Sequence, residues 1–535
     1  MSTEIQPYQV EFDEYLRDES RSVGHADSIS FPKNEDELIE IVRKLSKTEI
    51  PVTVQGARTG LAAAAVPYGG HLINIGRMTR ILGARYDEQD NRFFLTAEPG
   101  VLLSQLRKAV SSGEFEIAEP DDLTQAALCR YKAGEWFFSP DPTEASAALA
   151  GMVACNASGA RSFCYGPVRP YVEALRLVLV DGRTLHIRRG EQKAKGRDFC
   201  LNLDDGSYII GKLPDYAMPK VKNASGYYIE EDMDLIDLFI GGEGTLGIIT
   251  QIELRLLPMP KAVWGITTFF PDEKSALRFV RGLRGEKEAT GVEFSVKPAA
   301  IEFFNHKALD LLRIQKQKIA AFAHIQELKA TYYNAVYTEF HADSEEKVWE
   351  MVEQMNQMLE ALGVSPEDTW VANNPRDMEK LLVFRHAVPE SVNMLIDQRR
   401  QKDPAITKLG TDMAVPDQYL DKIMDMYNGE IQTNGLDYVA FGHIGDNHLH
   451  VNILPRDMED YRKGKALYLQ WANAVSAMGG TVSAEHGVGK LKAPFLAVMM
   501  TDAGIEQMRA LKAVFDPQGH LNPGNMFTMK KEGDA

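Results

Sequence analysis

The sequence predicts an α+β protein of two domains, and three observations carry that prediction. The chain has 535 residues, more than one core fills at about 150 residues per domain. Short segments of helical and strand period alternate, with few long helices. The pattern stops at the prolines of LLPMPKAVWG (256–265) and then restarts. The boundary is therefore placed near 260, giving domains 1–260 and 261–535.

The elements follow in order. Residues 31–50 carry Leu38, Ile39, Ile41, Val42 and Leu45 at helical spacing. PVTVQG then reads as a strand, and HLINIG and RFFLTAEPG as two more. LSQLRKAVSS (103–112) reads as a helix, VEALRLVLVDGRTLHI (172–187) as a hairpin turning at Asp181-Gly182, and GIITQIELRLLP (247–258) as a strand. Past the boundary come strand WGITTFFP, helix DEKSALRFVRGLR, the segment EFSVKPAAIEFF, strand YNAVYTEF (333–340) and helix EKVWEMVEQMNQMLEALG (346–363). There is no internal repeat or low-complexity tract.

Composition narrows the function. Hydrophobic residues make up 44% and charged residues 25%, which is ordinary globular usage and excludes a disordered or coiled-coil chain. The net charge of −17, from 76 acids and 59 bases, argues against a nucleic-acid binder. Cysteines 129, 155, 164 and 200 form no CxxC pair, which argues against a disulfide scaffold or an iron–sulfur cluster and for a reducing compartment. The acidic N-terminus is no secretory signal, and no window of about 18 residues is free of both charges and helix breakers, so no transmembrane helix is expected. A cytoplasmic protein is expected, with peripheral membrane contact left open.

Small-residue loops in the first half suit a long phosphate-bearing ligand. PVTVQGARTGL sets Gly56, Ala57, Arg58, Thr59, Gly60 and Leu61 just past a strand, where successive backbone N–H groups can cradle a pyrophosphate. Residues 151–172, KNASGYYI (222–229) and the glycine-rich 239–258 are similar in composition. No GxGxxG opens a helix, so a Rossmann site is not supported. As a set these loops resemble the vanillyl-alcohol-oxidase-type FAD-binding fold over roughly residues 25–265. PDPTEASAALAGMVACNASGARSFCYG (140–166) looks like that family's second loop, and GGEGTLGIIT (241–250) is close to its GSEGTLGIIT. The resemblance implies FAD contacts from the first loop and from Pro140, Ser146, Gly151, Asn156, Ser158, Gly159, Tyr165, Gly166, Glu243, Gly244, Gly247, Ile248 and Asn522. Arg58 either pairs with phosphate or is solvated. Residues 51–70 contain no histidine, so the FAD is expected to be non-covalent.

The second half concentrates metal-binding chemistry. In FGHIGDNHLHVNILP (441–455) a strand alternates His448, His450, Asn452 and Leu454 against Leu449, Val451 and Ile453. His443 lies one turn earlier, and GGTVSAEHGVGK (479–490) holds Glu485 and His486 in a glycine-rich turn. Four of the 12 histidines fall in these two motifs. Two imidazoles and a carboxylate suit Zn²⁺ or Mn²⁺; the alternative is a set of hydrogen-bonded structural histidines.

GHIGDNHLHVN, SAEHGVGK and FDPQGHLNPGNMF (515–527) resemble the C-terminal domain of FAD-linked D-2-hydroxyacid dehydrogenases, the D-lactate, glycolate and D-2-hydroxyglutarate enzymes among them. The resemblance implies an α+β substrate (cap) domain and oxidation of a D-2-hydroxy acid to the 2-oxo acid. It implies His443, His450 and Glu485 as metal ligands, His486 as the base, Asn452 as a substrate contact and Arg385 as the carboxylate clamp. His448 stands where relatives carry asparagine, and is left outside the ligand set; Lys408 stands as a second-carboxylate binder or as a solvated loop lysine. The alternatives are an alkylglycerone-phosphate-synthase-like flavoenzyme and a non-catalytic flavin subunit. The electron acceptor (quinone, electron-transfer flavoprotein, cytochrome or iron–sulfur protein) and the assembly, a homodimer included, stay open.

Overall fold

The computed structural model describes residues 5–294 and 296–530. The expected first helix forms as Glu35–Leu45, with the Asn34 side chain accepting the Glu37 N–H, and it buries Leu38, Ile41, Val42 and Leu45. Behind it a small sheet places His71–Asn74 between Ser28–Ser30 and Val52–Gln55, both parallel to it. Residues 56–70 are thus a crossover without a helix, and loop 56–61 lies at the C-terminal end of its strand, where α/β sheets present ligand sites. A second, antiparallel sheet runs in the order Ile81–Asp87, Arg92–Ala97, Ile248–Arg255, Val172–Val178 and Thr184–Arg188. The predicted hairpin turns at Asp181-Gly182, with Gly182 at φ +81°.

The second half forms one antiparallel sheet. Its strands run Thr369–Ala372, Ala262–Phe270, Asn334–Ala342, Ala300–Phe304, Tyr438–Gly442, His448–Ile453 and Leu409–Gly410, with Met413–Ala414 also paired to His448–Ile453. Both faces are covered, and the strand period shows how. Val336 and Phe340 enter the core under the helices Glu273–Leu283, Glu345–Ala361, Leu420–Thr433 and Met458–Ala477. Ala335 and Tyr337 enter the core on the other face, under His306–Lys316 and Pro375–Arg400. That second face is apolar at Phe304, Val439 and Leu454 and turns polar at Glu302, Glu339 and His341. Its polar end meets the first half of the chain through Arg161, Tyr165 and Lys222.

Near its C-terminus the chain returns to pack against the first core. Leu496, Met508, Leu511 and Phe515 of Ala493–Phe515, a helical segment broken at Thr501, pack with Leu238, Phe239 and Phe199. The Val52 N–H donates to His520 O, and the Asn522 N–H donates to Val52 O, extending the small sheet by a bridge. Proline pairs mark a boundary in sequence; which core a later helix joins depends on distant surfaces.

Candidate active site

Strand His448–Ile453 sends Leu449, Val451 and Ile453 into the core, leaving His448, His450 and Asn452 for the other face. His443 follows strand Tyr438–Gly442 directly. Glu485 and His486 arrive on a turn in which His486 stands at φ +67°, a region few side chains adopt without strain. The turn is clamped from the first half. The Glu243 carboxylate accepts the N–H groups of Val488, at 2.6 Å, and Gly489, at 2.9 Å.

These elements bring one donor atom each from His443, His448, His450 and Glu485 to within 4.8 Å of one another. His443 Nε2 lies 3.3 Å, and His448 Nδ1 4.0 Å, from Glu485 Oε2. The other oxygen, Oε1, accepts Lys222 Nζ at 2.5 Å and Ser158 Oγ at 2.8 Å, so Oε2 is the one turned to the histidines. Each imidazole is fixed through its far nitrogen. His443 Nδ1 bonds Glu302, His450 Nδ1 donates to Thr411 O at 3.2 Å, and His448 Nε2 donates to Asp412 Oδ1 at 2.7 Å. Such outer bonds orient metal-binding histidines.

Charge and burial set the protonation states. Burial pushes Glu485 up, but Lys222 and His443 hold it well below the carboxylate range. Burial also raises Glu302, but His443 and Arg385 bring it to about 2. Burial lowers His443, yet Glu302 and Glu485 outweigh it and lift the imidazole to about 10. Burial keeps His448 and His450 low, so both present neutral imidazoles. This donor set, neutral histidines beside an ionised carboxylate, fits a divalent cation that releases the His443 proton on binding.

His486 is the half-exposed member. Its Nδ1 donates to Asp412 Oδ2 at 3.0 Å, and its Nε2 lies 4.0 Å from Glu485 Oε2. Asp412, whose second oxygen also takes Lys492 Nζ and the Ser483 hydroxyl, therefore holds both His448 and His486. Burial opposes its charge, but Lys492 and His486 keep it well below the ordinary range. Sequence reading missed Asp412 although TKLGTDMAVP contains it. It becomes a neighbour of His448 only because Met413–Ala414 pairs with that strand. Glu302, Lys222 and Ser158 come to Glu485 and His443 in the same long-range way.

Arg385 sits inside helix Pro375–Arg400, 3.2 Å from Glu302 Oε2 and 4.7 Å over the Tyr337 ring, with a buried Nε that has no partner among the described residues. Asn452 donates to His450 O at 3.0 Å. Lys408 is exposed and donates to Asn393 Oδ1 at 3.0 Å.

The expected FAD-binding residues divide. Among the described residues, no protein acceptor takes the N–H groups of residues 57–61, and the loop is partly exposed, which fits a pyrophosphate cradle. Gly151 is exposed, with open space where a Cβ would stand. The Arg58 guanidinium bonds Glu14 through one nitrogen at 3.1 Å and lies 4.3 Å over Tyr15. Several other groups, backbone carbonyls among them, are already engaged. Pro140 O accepts from Arg107, exposed Ser146 bonds Glu144, and Asn156 accepts the Arg169 N–H. Ser158 bonds Glu485, Gly159 O accepts from Lys222, and the Tyr165 hydroxyl bonds His341 Nδ1. Glu243 clamps the His486 turn, and Asn522 rivets Val54 to the Glu243 and Gly244 carbonyls. His71, just past the first loop, is fully buried with both ring nitrogens on Ser28 and Ser30.

The family described as FAD linked oxidases, C-terminal domain, matches residues 260–526, and the FAD binding domain matches 26–129. The chain belongs to the FAD-linked oxidases. It is 28% identical to a D-lactate dehydrogenase of Anaerostipes hadrus over 92% of this chain and 87% of that one. Identity is also 28% to a D-2-hydroxyglutarate dehydrogenase of Stutzerimonas stutzeri (strain A1501), over 96% and 94%. A glycolate oxidase subunit GlcD of Bacillus subtilis (strain 168) is 26% identical over 94% and 89%. Two solved structures show the same fold at 16% identity. An alkyldihydroxyacetonephosphate synthase has a TM-score of 0.61 over 94% of this chain and 76% of its own. A 4-ethylphenol oxidase from Gulosibacter chungangensis has a TM-score of 0.60 over 98% and 93%.

Proposed function

We propose that this FAD-linked oxidoreductase oxidises a D-2-hydroxy acid of the D-lactate type to the 2-oxo acid, with a divalent metal and non-covalent FAD. The observation that carries the reading is the convergence of His443, His448, His450 and Glu485 beside a histidine oriented by a buried aspartate. Bound FAD would accept the hydride from C2 of the substrate. A Zn²⁺ or Mn²⁺ held by His443, His450 and Glu485 would act as a Lewis acid toward the hydroxyl.

The chain's own groups supply the rest. Asp412 accepts the His486 Nδ1 proton, so the ring keeps an acceptor lone pair at Nε2 and can take the substrate hydroxyl proton there. Asp412 then stabilises the imidazolium that forms. Arg385, with its unpartnered Nε, offers the substrate carboxylate a guanidinium held in place by Glu302. Two fixed points leave one face of C2 presented, which favours one enantiomer. Asn452 supports the strand carrying His450, and a substrate contact from it is part of the proposal. The synthase-like alternative shares the fold, and nothing in the arrangement of the site favours it.

The test is dye-coupled turnover on a panel of D- and L-2-hydroxy acids, with metal and flavin measured on the same sample. Rapid oxidation of a D acid, lost on chelation and restored by Zn²⁺ or Mn²⁺, is expected. Acid should release intact FAD. Equal rates on both enantiomers, or full activity after the metal is stripped, would overturn the reading.

A further inference from the structure

His448 stands apart from the other two histidines of the cluster in its surroundings. It is fully buried, with a relative exposure of 0%. A buried imidazole ordinarily satisfies both nitrogens, because an unpaired one loses its hydration without compensation. Here Nε2 donates to Asp412 Oδ1 at 2.7 Å, and Nδ1 has no hydrogen-bond partner among the described residues. That bare nitrogen faces Glu485 Oε2 at 4.0 Å, the oxygen left over when Lys222 and Ser158 have taken Oε1. Its ring packs 4.5 Å from that of His450 and 5.4 Å from that of His443. Asp412 is in turn anchored by Lys492 and Ser483. The carboxylate therefore fixes the tautomer, with the proton on Nε2 and the lone pair on Nδ1.

We infer that His448 is a fourth protein ligand, coordinating through Nδ1, so that this chain holds its metal with three histidines and one glutamate. The inference rests on the metal reading above. It adds a donor to the set of His443, His450 and Glu485, and it gives Asp412 a second task as the outer partner of a ligand. One consequence concerns the ion. Four protein donors already fill the coordination that Zn²⁺ prefers in closed sites. A substrate offering a hydroxyl and a carboxylate oxygen brings the count to six, which suits Mn²⁺.

The experiment uses the full-length, FAD-loaded protein stripped with chelator and titrated with Mn²⁺ alone. Binding is read from the loss of the free-ion electron paramagnetic resonance signal, independently of turnover. His448→Asn, which keeps a polar side chain but no imidazole lone pair, should weaken Mn²⁺ binding by about 10- to 100-fold or more. Asp412→Asn should weaken it less. His443→Ala is the control. If His448→Asn binds Mn²⁺ within about twofold of the parent while His443→Ala loses it, His448 is no ligand and the inference falls alone. If His443→Ala also binds like the parent, the metal reading falls with it. Should His448→Asn lose its flavin or its fold, ¹⁵N-histidine labelling of the unaltered protein decides. Hyperfine coupling of Mn²⁺ to three imidazoles supports the inference, and coupling to two overturns it.

Discussion

His486 at φ +67° is the residue on which the proposed chemistry turns, and its hydrogen bond to Asp412 says how it should fail. His486→Ala should keep metal and FAD and lose turnover by about 10²–10⁴-fold, the range for a positioned general base. Near-normal turnover in that variant would assign the base elsewhere. A second residue-scale prediction concerns His71, which burial lowers to about 4 from an ordinary 6.5. The folded state therefore binds this proton less readily than the unfolded chain. The stability it carries is complete above pH 6.5, falls between 6.5 and 4, and is gone below. By linkage the swing is about 3 kcal/mol. The gap in unfolding free energy between parent and His71→Gln should narrow across that window; a constant gap would refute it. At this scale the sequence was partly legible. The alternation of His448 and His450 with core residues follows from the strand period, and Glu485-His486 stood in a recognisable motif. Asp412, Glu302 and Lys222 were not legible, because nothing local marks an acid or a lysine that becomes functional through pairing with a strand or loop tens to hundreds of residues away.

At the scale of the element, the turn at 483–490 shows how two motifs read separately depend on one another. GGEGTLGIIT resembled a flavin loop, yet its Glu243 side chain holds the backbone of Val488 and Gly489. Gly489 stands at φ +51°, and a Cβ there would lie 2.1 Å from Ala62 O, part of the chain that follows the first loop. Gly489→Ala should therefore push the His486 turn off both contacts, with about 1–3 kcal/mol of strain and a steep loss of turnover. A crystal structure with the turn unmoved, or parental activity, would contradict this. The helices and strands that were read, such as Glu35–Leu45 and Asn334–Ala342, were readable because their apolar periods are local. Helix Pro375–Arg400 carries Pro389 in its interior, where a proline ordinarily kinks or ends a helix.

At the scale of the whole molecule, the site lies where the two halves of the chain meet, and charged pairs cross that meeting. Arg161, from the first half, bonds Glu339 of the cap sheet at 2.7 Å, and Glu339 also takes Tyr337 OH and His341 Nε2, each at 2.7 Å. Glu339 is 2% exposed, so its charge depends on its partners. Burial pushes that carboxyl up, and Arg161 and His341 together hold it far below the usual range. Removing Arg161 alone strands a buried carboxylate, a change that ordinarily costs about 3–5 kcal/mol. Arg161→Met should therefore lower the thermal midpoints of both flavin release and far-ultraviolet dichroism. The double variant Arg161→Met with Glu339→Gln should recover a large part of the loss, because it removes the buried Glu339 charge together with its partner. The two single changes should thus be non-additive, as expected for groups in direct contact. If the double variant is as unstable as the sum of the singles, the pair is not coupled and the halves are held by apolar packing alone. If Arg161→Met keeps its midpoints yet loses substrate affinity, the guanidinium serves the substrate rather than the junction.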